Sequence, residues 1–90
     1  MSTLPPALGH VRNATWQLMA GDDPTELILA LDCLDLEALL NPHNVDPAVV
    51  PPEPDPAADL VAAERLLEAD PDAIPPAAWA ALRAINLRLG

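Results

Sequence analysis

The segment Asp23 to Asn41, DPTELILALDCLDLEALLN, holds the densest run of large aliphatic side chains in the sequence, and both of its ends are marked. Asp23 stands as an N-cap, Pro24 takes the first helical position where its missing N–H costs nothing, and Glu26 at N3 can reach back. Asn41-Pro42 closes the segment, because proline disfavours the α region at the residue before it. The pattern predicts a helix over 24–40. At 3.6 residues per turn this helix carries two apolar stripes, Leu27, Leu31, Leu34 and Ala38 on one side and Leu29, Cys33, Leu36 and Leu40 on roughly the other. Asp32 and Asp35 fall on one strip between them, Glu26 and Glu37 on the other. A helix that is apolar on two sides must be covered on two sides, by the other helices of the same chain or by a second copy. The rest of the chain offers little large apolar surface with which to cover both.

Prolines and glycine divide the remainder. Thr3 is placed to cap a first helix over about 5–20, opened by Pro5-Pro6 and stopped by Gly21, which is positioned for the left-handed C′ conformation. Leu8, Val11, Thr15 and Leu18 form its stripe, with Trp16 and Met19 alongside. Gly9 weakens its first turn and marks a close helix approach. The short Gly21-Asp22 turn makes the first two helices an antiparallel hairpin. Residues 42–54, PHNVDPAVVPPEP, contain too many prolines for a helix or a central strand and read as a semi-rigid connector. Within it, Val45, Val49 and Val50 are expected to pack back on the core, and Asp46-Pro47 is able to open one helical turn. A third helix over about 56–69 follows Asp55 as cap, with Leu60, Ala63, Leu66 and Leu67 on one face. Arg65 and Glu68 are spaced to pair at its surface. Pro75-Pro76 starts a fourth helix over about 76–89, with Ala78, Leu82, Ile85 and Leu89 as its stripe and Trp79 beside it. The expected fold is a small all-α, four-helix domain of two helical hairpins joined by the Pro-rich connector.

Charge narrows the function. The 90 residues carry a formal net charge of −10, and the four cations are Arg12, Arg65, Arg83 and Arg88. Nucleic acid and anionic membrane are poor partners for such a chain. A protein with a basic surface fits better, and so does the blocking of such a surface by an acidic imitation of nucleic acid. Asp23, Asp46, Asp55 and Asp70 precede prolines and read as caps or turn formers rather than as a binding surface. One cysteine makes no internal disulfide, no signal segment opens the chain, and no apolar run is long enough for a membrane span, so the default compartment is the cytoplasm.

Reactive constellations are scarce. Cys33 lies in an apolar stripe, where a thiol behaves as a small hydrophobe. His10 and His43 lack metal-ligand spacing, and no cofactor motif is present. Asp32 and Asp35 share a helical strip as an acid–base pair would, but no nucleophile or phosphate loop accompanies them. The expectation is a non-catalytic interaction or regulatory module that forms a homodimer or docks a protein partner. Its candidate surface comprises Leu27, Leu31, Leu34, Asp32, Asp35, Trp16 and Trp79.

Overall fold

The computed structural model describes residues 3–69 and 71–89. The chain is all-α, with helices α1 (Leu4–Met19), α2 (Pro24–Leu40), α3 (Pro56–Glu68) and α4 (Pro76–Leu89), and a 3-10 turn at Pro71–Ala73. Local chemistry accounts for most of the boundaries. Asp23 Oδ1 accepts from the Thr25 N–H at 2.9 Å, and Asp55 Oδ1 from the Ala58 N–H at 2.8 Å, each with proline at the start of the helix that follows. Thr3 occupies the equivalent place before α1 without a side-chain cap bond. The expected cap at Asp70 lies outside the described residues.

Gly21 does not take the left-handed conformation, and no described glycine does. Helix α1 instead runs into Ala20, still right-handed, and closes with the Gly21 N–H donating to the Leu18 carbonyl at 3.3 Å. The Glu26 carboxylate folds across Gly21, into the space that a Cβ would take, but as the end of a flexible side chain it can swing away.

The helices are arranged as a ring in which α1 packs on α2 and α3, and α4 packs on the same two. Both expected hairpins, α1–α2 and α3–α4, are present. Each helix sends one stripe inward, led by Leu8 and Val11, Leu29 and Leu36, Leu60 and Leu67, and Leu82 and Ile85. Ala7, Ala14, Ala30, Ala63 and Ala78 are buried among them, and these small side chains let the helices close the core with few large ones. Arg65 and Glu68, spaced to pair on α3, form no ion pair among the described residues.

The connector is laid along α1. Asn41 first fixes the turn out of α2: its Oδ1 accepts from the Val45 N–H at 2.7 Å, its Nδ2 donates to the Val45 carbonyl at 2.8 Å, and Asn44 takes φ 54° between them. The Ala48 N–H then donates to the Pro5 carbonyl at 3.0 Å, Asn13 Nδ2 to the Val50 carbonyl at 3.0 Å, and Gln17 Nε2 to the Glu53 carbonyl at 3.2 Å. Pro5, Gly9, Asn13 and Gln17 recur every four residues and so form one strip of α1. Between Pro5 and Gln17 that strip is about 18 Å long. The connector covers it from Ala48 to Glu53, at roughly 3.5 Å per residue, near the limit of an extended chain. No helical turn fits, so Asp46-Pro47 opens none. Val45 and Val50 are half-buried, whereas Val49, expected in the core, points fully into solvent. An extended chain turns alternate side chains away from the surface it lies on.

Gly9 marks a close approach, but of the connector rather than of another helix: a Cβ there would run into the Ala48 carbonyl. Helix propensity alone makes Gly9→Ala stabilising by about 1 kcal/mol. Here it is expected to destabilise by about 1 to 3 kcal/mol, since the connector backbone must give way. Urea unfolding measures the sign, and an unchanged or raised midpoint would remove the close contact.

Candidate interaction surface

The two stripes of α2 have different fates. Leu29, Cys33, Leu36 and Leu40 are in the core, while Leu27, Leu31 and Leu34 are exposed, Leu31 by 61%. The ring explains why. Helix α2 touches α1 and α4, the connector is drawn over α1 toward α3, and no described element lies over the far side of α2. Ile28 and Leu39 are also exposed on α2, and Trp16 and Met19 extend the surface onto α1, with Trp16 69% exposed. Trp16, Met19 and Leu34 meet with Arg12, Thr15 and Glu37 around an open groove of about 300 Å³ between α1 and α2. The expected grouping of Trp16 with Leu27, Leu31 and Leu34 is therefore assembled. Met19, Ile28 and Leu39 complete it: Met19 stands 3 residues from Trp16, Ile28 3 from Leu31 and Leu39 8 from Leu31, and this helical spacing is the signal that could have included them.

Ion pairs bound this face. Arg12 Nε donates to Glu37 Oε1 at 2.7 Å on the α1 side, and Arg88 Nη1 to Asp32 Oδ2 at 2.6 Å on the α4 side. Asp32 is thus tied to α4, and Asp35, exposed, lines a shallow hollow with it, Ala81, Ala84, Ile85 and Arg88. Trp79 belongs to a separate cluster. It packs partly against the core, its Nε1 donates to the Pro71 carbonyl at 3.5 Å, and Arg83 lies over its ring at 5.5 Å from the centroid.

A polar cluster lies beneath the connector. Asp59, fully buried in the first turn of α3, accepts from His10 Nδ1 at 2.9 Å, from Gln17 Nε2 at 2.7 Å and from the Glu53 N–H at 3.3 Å. The N-terminal end of α3 adds favourable potential for that carboxylate. Asp59 shares its strip of α3 with Ala63 and Leu67, both in the core, and this register was the sequence signal for its burial. Its three partners join α1, the connector and α3, which gives it an architectural role.

Cys33 is fully buried, and burial pushes its thiol from 9.0 up to about 11; a hydrogen bond with Thr15 opposes the shift and the charge of Asp32 adds to it. A thiol so placed is a poor nucleophile. His10 faces Asp59 and His43 is exposed in the turn after α2. Among the described residues no cluster of His, Cys, Asp and Glu is arranged to hold a metal ion, and no helix is long and apolar enough to cross a membrane. Set against known protein families, characterised proteins and solved structures, the chain matches none of them.

Proposed function

We propose that this chain is a small protein–protein interaction module of the regulatory kind, without catalysis of its own, whose working surface is the outward face of α2 extended by Trp16 and Met19. The observation that carries the reading is a group of large apolar side chains left in water on one face of α2 by a chain whose core is closed without them. Contiguous patches of several hundred Å² on a soluble fold mark contact sites, and aromatic and Met side chains are the types enriched there. Asp32 and Asp35, the pair spaced for acid–base chemistry, fit a contact surface better than a catalytic centre: Asp32 is held by Arg88 at the α4 edge, and Asp35 stands exposed between Leu31 and Leu39. An imitation of nucleic acid draws less support. Five of the 14 acidic side chains are already engaged, Asp23 and Asp55 as helix caps, Asp59 in the interior, and Asp32 and Glu37 in ion pairs, which reduces the charge that the chain can present in place of phosphates.

A photo-crosslinking phenylalanine analogue in place of Leu31, expressed in the native cell, is expected to give a protein adduct. The same analogue in place of Leu87, exposed beside Glu64 and Asn86 on the α3–α4 side, serves as the control. Equal or no adduct from the two positions would remove the reading.

A further inference from the structure

The outward face of α2 is a ridge rather than a cleft, and its size, charge and shape select the same occupant. Trp16, Met19, Leu27, Ile28, Leu31 and Leu34 are each between two-fifths and about two-thirds exposed. At roughly 150 to 250 Å² for a large side chain they leave on the order of 700 Å² in water, close to the ~800 Å² that each partner buries in a standard interface.

Charge argues next. Two copies at −10 each repel wherever carboxylates meet. Along this face, however, Asp32 is neutralised by Arg88 and Glu37 by Arg12, so Asp35 is its one carboxylate without an ion-pair partner among the described residues. A basic partner finds little here to grip, and an acidic partner finds both rim arginines already engaged. What the face fits is a helical ridge of low charge, and the outer side of α2, with Leu27, Ile28, Leu31, Leu34 and Leu39 set around Asp35 over about three turns, is itself such a ridge.

We infer that the occupant is a second copy of this chain, in a two-fold contact with α2 antiparallel to its counterpart and Leu31 nearest the axis. This rests on the interaction reading above. The antiparallel arrangement carries Asp22, Asp23 and Glu26 at the start of one α2 away from the same residues of the other, where a parallel one would stack them. It also sets the helix dipoles against each other favourably. Position 31 then meets itself, while position 27 stands about 12 Å from its counterpart along the helix.

Sedimentation equilibrium of the full chain, from micromolar to millimolar and at low and high salt, tests this. The mass is expected to rise from 9.5 kDa to twice that value, and at lower protein concentration in high salt, because screening relieves like-charge repulsion. Leu31→Asp should weaken association at least about a hundredfold with helicity retained, Leu31→Ala should weaken it less, and Leu87→Asp should behave as the parent. Under mild oxidation Leu31→Cys should form a covalent dimer and Leu27→Cys should not. A monomer at millimolar concentration, or a dimer indifferent to both Leu31 variants, overturns the second copy, and cross-linking by both cysteines overturns the antiparallel geometry. A monomer that still yields a position-31 adduct with a different protein overturns only the second copy; a monomer without an adduct removes the interaction reading as well.

Discussion

Leu36→Asp is expected to abolish folding, whereas Leu31→Asp on the same helix should leave the far-ultraviolet circular dichroism of the chain nearly unchanged. Leu36 is fully enclosed among core side chains, while Leu31 is mostly in water. An uncompensated carboxylate in a core costs several kcal/mol, which is comparable to the whole stability of a small domain, about 5 kcal/mol at the low end. At Leu31 the new carboxylate stays hydrated, and its effect falls on association instead. The contrast therefore separates a core stripe from a contact stripe. Equal loss of helicity in the two variants would mean that the outward face is needed for the fold itself, and that no part of α2 is a removable partner surface.

That contrast is also where the sequence stops being legible. The bounds of α2 and α4 follow from Asp-Pro, Pro-Pro and Asn-Pro signals that act within a turn of the chain, and the structure keeps them. Which stripe of α2 goes inward is a long-range matter. Both stripes repeat at i, i+4, i+7 and i+11, and both are flanked by a pair of carboxylates. The choice depends on the small residues of the other helices. Ala7, Ala14, Ala63 and Ala78 draw α1, α3 and α4 close enough that one stripe of α2 completes the core, and the connector is committed to α1. A stripe pattern records that a face is apolar and is silent on what covers it.

The connector shows the same boundary from the other side. Its prolines exclude a helix, and none forms. Its path, however, is set by Gly9, Asn13 and Gln17, which lie far from it in sequence and look in isolation like a weak first turn and two surface amides. The spacing of four that unites them with Pro5 gains meaning only when an extended chain is seen lying on it. Val49 follows from that path: two residues that accept from α1, Val50 and Glu53, set the facing of the strand-like run, and Val49 is turned outward.

Removal of the Asp59 carboxylate is expected to cost more than any other surface-to-core polar change in the chain. Asp59→Ala leaves His10 Nδ1 and the Glu53 N–H without their acceptor and Gln17 Nε2 with the Glu53 carbonyl alone, around a fully buried position. Each donor stranded by the loss of a buried acceptor costs about 1 to 3 kcal/mol unless the backbone yields. The backbone that can yield is the connector. Asp59→Ala should therefore lower the urea midpoint sharply and, before global unfolding, open the Ala48 N–H to solvent exchange, because the strap over α1 loses one of its two holds at Glu53. Asp59→Asn retains one carbonyl oxygen and is expected to cost about half as much. Asp55→Ala, four residues earlier at the exposed cap, should cost only about 1 kcal/mol, and gives the baseline for losing a single acceptor. Equal losses from Asp55→Ala and Asp59→Ala, with the Ala48 amide still protected, would show that the connector is held by its contacts along α1 alone and that the buried carboxylate is incidental to it.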